Sequence, residues 1–440
     1  MPGTRIHRSA ARLLMAVLGG LLLAAAVAGP AWGAGRSGGG GAGANGGGGA
    51  RASGPSGGVG TGSSGGHGST GHTSHPSSVA LSRTGMWIWY VSRSAGGNLN
   101  SIIAMARRHA VGTVIVKSGD GSGYWSQFSS NLVSTFHEAG LKVCAWQYVY
   151  GSHPKLEAEV GARAVRAGAD CLLIDAEGEY QGRYEAAQTY MSDLRALVGA
   201  GYPVALASFP YVDFHPSFPY SVFLGPGGAQ FNVPQMYWRD IGTTTDAVYA
   251  HTWVYNSPYQ RPIAPLGEVA GDPPPPQIER FRQLRRVYHA PATSWWVWQS
   301  ASSRGWSAVS ATVPDLETVT RQSGMPTLAY HVSGAISQGD LVVWAQEHLW
   351  SAGYRIAIDG MFGTGTRSAV QQFQSAHALP VSGEVDTATW SALLRYPAAP
   401  VTWTSKGATA ASADGLELAP PRSARLRPVR YEIPPHLGAG

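Results

Sequence analysis

Residues 170–177 read Asp-Cys-Leu-Leu-Ile-Asp-Ala-Glu, a short apolar run that ends in two acids. A run of this length and composition is typical of a buried strand. It is one of eight segments rich in apolar, β-branched and aromatic residues, at 86–91, 113–117, 142–148, 170–176, 203–208, 230–238, 262–269 and 294–300. Stretches with the period of an amphipathic helix lie between them, at 99–109, 128–139, 156–167, 184–198, 244–255 and 277–288.

This alternation predicts an α/β fold for residues 81–325. About eight strands, mostly followed by helices, are typical of a (β/α)8 TIM-like barrel. A doubly wound open sheet is the competing interpretation, but no Gly-rich dinucleotide fingerprint follows the first strand. We therefore expect the barrel, with its weakest stretch at 208–230, where four prolines interrupt the pattern.

The N-terminal segment has the pattern of an export signal. Arg5, His7, Arg8 and Arg12 precede an apolar run over residues 13–27, and small residues follow it. We interpret residues 1–34 as a signal peptide and expect a secreted protein with no stable membrane insertion. An uncleaved membrane anchor is the alternative.

Two further segments cannot bury enough apolar surface to fold. Residues 35–80 consist almost entirely of Gly, Ser, Ala, Thr and His, and we expect a flexible linker. Residues 399–440 are rich in Ala, Pro, Ser and Arg, and we expect a disordered tail.

Charge and cysteine content exclude several classes of partner. The formal net charge is +6, but Lys and Arg form no stripe interleaved with aromatics, so we expect no nucleic acid partner. Cys144 and Cys171 are the only cysteines, and both fall in predicted strands. An exported chain could join them, yet we expect two buried small hydrophobic residues. No Cys/His spacing indicates a metal site, and we expect no cofactor.

The C-terminal region, 326–398, has three helical patterns, at 340–351, 364–377 and 387–394, separated by turns that contain Gly. Residues 359–374 read DGMFGTGTRSAVQQFQ, and 383–390 read GEVDTATW. These segments resemble the peptidoglycan-binding module type 1. The resemblance implies a small three-helix module with peptidoglycan as its partner. Most of the motif residues are expected to be scaffold, and Tyr354, Arg355 and Phe362 are the candidates for ligand contact.

The candidate catalytic residues lie at the end of the fourth predicted strand. Side chains alternate along a strand, so Asp175 and Glu177 should point to one side while Leu172, Ile174 and Ala176 face the helices. Active sites of TIM barrels lie at this carboxyl end of the strands. Two carboxyl groups that lie close together raise one another's proton affinity, which keeps one of them available as an acid. Glycosidic cleavage uses such a pair.

The segment LLIDAEGEY, residues 172–180, is similar to the Asp-x-Glu strand of family 25 lysozyme barrels and, less closely, of family 18 chitinase barrels. The resemblance implies that Glu177 is the general acid and that Asp175 orients a substrate acetamido group or stabilises a charged intermediate. Residues 233–238 resemble the chitinase Met-x-Tyr strand, which nominates Tyr237. Residues 296–299 resemble the lysozyme Trp-Gln-Tyr strand, which nominates Trp298 as floor and Gln299 as a hydrogen-bonding group.

Aromatic residues at predicted strand ends, among them Trp238, suit a groove for a polysaccharide substrate. The first strand departs from the lysozyme pattern because it has no acid. Four other acids, each near a predicted strand end, could complete a catalytic site. They are Asp120, Asp213, Asp240 and Glu268. We expect a cell-wall protein that binds peptidoglycan and hydrolyses its glycan strands. The alternatives are a catalytically inactive barrel with a structural role in the wall, and a hydrolase for another polysaccharide.

Overall fold

The computed structural model describes residues 79–316, 318–330, 334 and 337–410. The predicted signal peptide and nearly all of the predicted linker lie outside these residues, as does the chain beyond 410. Among the described residues, no helix combines the length and the apolar character needed to cross a membrane.

Eight parallel strands form the expected barrel. In chain order, β1 to β8 are Gly85–Ile88, Thr113–Asp120, Lys142–Val149, Cys171–Ala176, Val204–Ser208, Phe231–Pro234, Leu266–Glu268 and Ser294–Trp296. Their order in the sheet is β6-β5-β4-β3-β2-β1-β8-β7. Single parallel bridges between Asn232 and Ile263 and between Gln235 and Leu266 join β6 to β7, so the barrel is nearly closed. The predicted α/β barrel is confirmed.

Nine α-helices surround the strands in the described part of this barrel. In chain order, α1 to α9 are Leu99–Arg108, Ser130–Glu138, Pro154–Arg166, Tyr184–Val198, Tyr220–Leu224, Trp238–Ile241, Thr245–Asn256, Pro275–Val287 and Ser303–Ser310. Side-chain caps define several of their starts. Asn98 accepts a hydrogen bond from the Ser101 amide at α1, and Ser129 accepts one from the Leu132 amide at α2. Helix α5 is short, and it lies in the proline-rich stretch where the sequence pattern was weakest.

Alternation along the strands separates the apolar residues into two layers. On β4, Leu172, Ile174 and Ala176 lie in the outer cluster that packs against the helices, as predicted. Cys171 and Leu173 lie in the inner cluster that fills the barrel. This alternation points the next inward residue, Asp175, towards the barrel mouth.

The expectation of two unlinked cysteines is wrong. Cys144 on β3 and Cys171 on β4 are direct register partners, with their α-carbons 4.6 Å apart, and they form a disulfide inside the barrel. The sequence placed both in predicted strands, but the pairing of these two positions across neighbouring strands could not be read from it.

The C-terminal module contains the three predicted helices, α10 Asp340–Ser351, α11 Thr364–Ala376 and α12 Thr387–Leu393. An antiparallel bridge between Leu328 and Val385 and a hydrogen bond from the Trp390 indole to the Pro326 carbonyl, 2.8 Å, tie its first described residues to α12. The expectation of disorder from residue 399 is wrong for its first part. Residues Val401–Thr404 (β9) and Gly407–Ala410 (β10) form a hairpin.

The barrel and the module share a buried interface. Every residue of α10 from Asp340 to Trp350 is buried. The Asp340 carboxylate accepts hydrogen bonds from the Ser221 amide, the Ser221 hydroxyl and the Tyr259 hydroxyl at 2.7–2.8 Å. The Trp344 indole donates to the Pro258 carbonyl. The module is therefore packed firmly on the barrel rather than joined to it by a loose chain.

Candidate active site

Asp175 and Glu177 converge on one nitrogen atom at the carboxyl end of β4. The Gln235 amide Nε2 donates to Asp175 Oδ1 at 2.9 Å and to Glu177 Oε1 at 2.8 Å. Asp175 is 5 % exposed, whereas Glu177 is partly exposed. The two acids thus lie on the same side, as the alternation predicts, and Glu177 is the more exposed residue of the pair.

The environment favours the protonated forms of both acids. Burial raises the pKa of Asp175 well above its usual value, the charge of Glu177 adds to the increase, and the ammonium group of Lys117 opposes it. Burial also raises the pKa of Glu177, while the hydrogen bond from Gln235 opposes this and the charge of Glu179 reinforces it. A carboxyl group that keeps its proton towards neutral pH can serve as a general acid.

Lys117, on β2, supplies a buried positive charge beside the acids. It is 2 % exposed, and its Nζ lies 4.6–4.7 Å from the ring centroids of Trp89, Trp125 and Trp146. Its ion pair with Asp120 is 2.5 Å long. Burial lowers the pKa of Lys117, and the charge of Asp120 opposes that effect. The cation is held in place by three aromatic faces and one carboxylate.

Indole rings form the floor below the acids. The Trp296 ring centroid lies 5.7 Å from that of Trp87, 5.6 Å from Trp89 and 5.5 Å from Trp146. The Tyr237 ring lies 6.4 Å from Trp296. Burial raises the pKa of Tyr237 well above its usual value, and the charges of Asp175 and Glu177 add to this, so Tyr237 stays a neutral hydrogen-bond donor.

Two of the nominated tryptophans are placed elsewhere. Trp298 lies in the outer cluster, where it packs against Trp306 of α9 with ring centroids 4.6 Å apart. Strand β8 ends at Trp296 and a 3-10 turn follows, so strand alternation does not extend to residue 298. Trp238 is 1 % exposed and donates to Gln277 outside the barrel. The floor tryptophan of β8 is Trp296.

The remaining nominated residues of the barrel lie at the edge of the mouth or beside it. Gln299 Oε1 lies 3.4 Å from the Trp89 amide nitrogen, so it supports the strand that carries the floor ring. Asp240 lies at an exposed position of α6. Partial loss of solvent around its carboxyl group still raises the pKa of Asp240, and the charge of Arg239 opposes this. Asp213 instead pairs with His251 at 2.6 Å.

Tyrosines hold further acids at the rim. Tyr148 on β3 donates to Glu179 at 2.8 Å, and Tyr150 donates to Asp120 at 2.8 Å. The rings of the two tyrosines contact each other edge to face, 5.0 Å between centroids. Glu179 is therefore fixed beside Glu177 although it is exposed to solvent.

Glu268 is a third buried acid of the mouth, at the end of β7. It is 4 % exposed and accepts a hydrogen bond of 2.6 Å from the Arg239 amide. Burial raises the pKa of Glu268 to about 7, and the hydrogen bond from the Arg239 amide opposes the increase. The charge of Glu268 also raises the pKa of Tyr237, so Glu268 belongs to the same electrostatic environment as Asp175 and Glu177.

Sequence reasoning missed Gln235, Lys117 and Trp296 as members of this site. Each lies on an inward-facing strand position two residues from another inward residue, Tyr237, Ile115 and Ser294 respectively. The alternation could have found them. In the described part of the chain, no group of three or more His, Cys, Asp and Glu residues is arranged to hold a metal ion.

In the module, one of the three nominated contact residues is not available to a ligand. Phe362 is 3 % exposed and belongs to the core. Tyr354 is partly exposed and packs edge to face on Phe373, and Arg355 is exposed with its guanidinium 3.7 Å from the Trp350 ring centroid.

Comparison with known proteins identifies the module. Residues 338–393 match the family model described as "Putative peptidoglycan binding domain". The motif spacing of 359–374 had predicted this resemblance, which is confirmed. The module is thus similar to peptidoglycan-binding domains, and this supports an association with the cell wall. A search of curated protein sequences found no match.

The barrel has similar solved structures among glycoside hydrolases. A family 39 glycoside hydrolase from Bacteroides cellulosilyticus WH2 shares 13 % identity, with 59 % of this chain and 69 % of that chain covered and a TM-score of 0.41. A chitinase from Chromobacterium violaceum shares 12 %, covering 52 % and 98 %, with a TM-score of 0.38. The spore cortex-lytic enzyme SleL of Bacillus megaterium shares 8 %, covering 54 % and 75 %, with a TM-score of 0.39. Sequence identities and TM-scores this low do not assign to this chain the activity of these enzymes or the role of any of their residues.

Proposed function

We propose that this protein is a secreted glycoside hydrolase that cleaves the glycan strands of peptidoglycan and is held at the wall by its C-terminal module. The observation that carries the proposal is the convergence of Asp175 and Glu177 on Gln235 Nε2 at the carboxyl end of a barrel strand. Active sites of TIM barrels lie at this end, and paired carboxyls are what glycosidic cleavage requires.

Glu177 is the general acid in this proposal because it is the more accessible of the pair. Its carboxyl group donates a proton to the glycosidic oxygen as the bond from the anomeric carbon to that oxygen breaks. The alcohol leaves with the proton. A water molecule then adds to the anomeric carbon and gives a proton to the Glu177 carboxylate, which restores the acid.

Asp175 and Tyr237 act on the sugar that becomes positively charged. Asp175, almost fully buried beside Glu177, orients the substrate acetamido group. Tyr237 donates a hydrogen bond to the same group, and Trp296 provides the face on which the ring rests. Gln235 positions both carboxyls with a single amide nitrogen.

Digestion of purified sacculi tests the proposal. Protein without residues 1–34 should lower turbidity and release reducing ends, and Glu177→Gln should reduce the rate by about 10²–10⁴-fold because the leaving oxygen is no longer protonated. Glu185→Gln, on the exposed surface of α4, is the matched control and should keep full activity. Equal release by the Glu177→Gln and unsubstituted proteins would contradict the assignment.

A catalytically inactive wall protein is the second candidate. The packing of Trp87, Trp89, Trp146 and Trp296 in the barrel centre and the absence of an acid on β1 favour it. In that case the protein would sediment with sacculi through its module and release no reducing ends, whichever acid is present.

A further inference from the structure

The aromatic surface of the barrel mouth continues past the two acids. From the floor residue Trp296, the row passes to Trp89, which stacks on Tyr90 with centroids 5.9 Å apart and planes inclined by 11°. Tyr90 in turn contacts Trp125, 5.4 Å between centroids. Tyr90 and Trp125 are both partly exposed. A row of contacting rings therefore leads from Trp296 to the loops after β1 and β2, where the Arg93 guanidinium lies 4.8 Å from the Tyr90 ring centroid.

A groove of about 450 Å³ lies next to this row, since two of its lining residues, Val91 and Gln127, follow Tyr90 and Trp125 in the chain by one and two positions. Its lining includes Val91, Ser92, Gly97, Gln127, Ser129 and Asn131. The volume lies within the range of roughly 300–1,000 Å³ that is common for small-ligand sites. Ser92 and Asn131 are exposed, so their side chains can meet the hydroxyl groups of a ligand.

Gln127 ties the groove to the strands of the candidate active site. Its Nε2 donates to the Trp89 carbonyl at 2.7 Å and to the Lys117 carbonyl at 2.9 Å, and its Oε1 accepts from the Val91 amide at 3.0 Å. One wall of the groove is thus fixed relative to Trp89 and Lys117, and a ligand in the groove would have a defined position relative to the acids.

We propose that this groove is a second saccharide-binding subsite, which holds further sugar residues of the glycan strand that Glu177 cleaves. The inference rests on the proposed function and names where the rest of the polymer binds. Partly exposed rings suit the apolar faces of sugars, and the amide and hydroxyl groups beyond them suit sugar hydroxyls. A linear glycan fits better than a separate ligand because contacting rings run from Trp296 to residues adjacent to the groove.

Chain-length dependence of binding tests the subsite. In a Glu177→Gln background, Tyr90→Ala removes one ring and Asn131→Trp fills the groove. Glu138→Trp, exposed at the far end of α2, is the matched control. Calorimetry with N-acetylglucosamine dimer and hexamer should show that Tyr90→Ala weakens hexamer binding by about three- to tenfold, the loss of one aromatic contact. Asn131→Trp should also weaken hexamer binding, because its side chain blocks the groove. Dimer binding, and both affinities of the control, should stay unchanged.

The outcomes separate this inference from the proposed function. Unchanged hexamer affinity in both groove variants, equal losses for dimer and hexamer, or no hexamer binding to the parent protein would overturn the subsite. Rapid digestion of sacculi together with any of these results would leave the hydrolase standing without it. If sacculi stay intact while hexamer binding depends on Tyr90 and Asn131, the subsite stands and the hydrolase fails.

Discussion

At the scale of single residues, exposure distinguishes the two acids. Asp175 is almost fully buried, and Glu177, which is partly exposed, is the one that we assign to the glycosidic oxygen. Glu179, fixed by Tyr148, adds a negative charge that raises the pKa of Glu177. A general acid works only while it is protonated, so activity should fall as the pH rises through the pKa of Glu177.

Replacing Glu179 should therefore change the pH profile. Glu179→Gln removes the negative charge, lowers the pKa of Glu177 and moves the alkaline limb of activity to lower pH. Tyr148→Phe, which releases the Glu179 carboxylate, should move it in the same direction by a smaller amount. The measurement is the rate of glycan cleavage between pH 4 and 9. A limb that stays in place, or moves to higher pH, in Glu179→Gln would refute the coupling.

The sequence predicted the position of the acids better than that of their partners. Strict alternation on β4 placed Asp175 and Glu177 correctly, because that strand is regular up to Ala176. Trp298 was nominated by resemblance and Trp238 as an aromatic residue at a predicted strand end. Both lie beyond the ends of their strands, since β6 ends at Pro234 and β8 at Trp296, and both belong to the outer cluster. The hydrogen bonds of Gln235 and the ring contacts of Lys117 depend on distances between strands, which a linear pattern does not contain.

At the scale of elements, the Cys144–Cys171 disulfide links neighbouring strands β3 and β4 across 27 positions of sequence. Closing a loop of this length lowers the entropy of the unfolded chain, and the expected contribution is about 3–4 kcal/mol. The Cys144→Ala, Cys171→Ala double variant should therefore melt at a lower temperature than the oxidised protein. Addition of reductant to the denatured state should abolish the difference in refolded stability. Identical melting temperatures would contradict a stabilising disulfide.

Within the module, the buried side chain of Gln346 holds the turn that precedes α11. Its Oε1 accepts from the Asp359 and Gly360 amides, and its Nε2 contacts Asp359 Oδ1, the Met361 carbonyl and Thr366 Oγ1. Gln346→Leu would leave these buried groups unpaired, at a cost of roughly 2–4 kcal/mol.

Urea unfolding of the whole protein measures this loss. Gln372→Leu, at an exposed position of α11 where the side-chain amide donates to the Ser368 hydroxyl, is the control and should change little. If the two substitutions cost the same, the amide contacts of Gln346 contribute nothing specific.

At the scale of the whole molecule, the buried carboxylate of Asp340 joins the module to the barrel. Burial raises the pKa of Asp340 to about 6, and hydrogen bonds from Tyr259 and Ser221 oppose the increase. The folded protein then holds this proton more tightly than the unfolded chain. The stability from this group is fully present below about pH 4 and is lost as the pH rises to about 6.

Asp340→Asn removes this titration. The free energy of unfolding of the unsubstituted protein, relative to that of the variant, should therefore decrease by about 2 kcal/mol between pH 4 and pH 7. Urea unfolding at four pH values in that range measures the difference. A difference that is constant with pH, or grows as the pH rises, would contradict the raised pKa of Asp340.

The central claim is that Glu177 protonates a leaving oxygen, and leaving-group rescue tests it most directly. A dinitrophenolate leaves without protonation, so a dinitrophenyl glycoside of the N-acetylglucosamine dimer needs no general acid. Initial rates on this substrate and on natural glycan are compared for the unsubstituted and Glu177→Gln proteins. We predict that Glu177→Gln loses about 10²–10⁴-fold on natural glycan but retains most of the rate on the activated glycoside. An equal loss on both substrates would contradict the assignment.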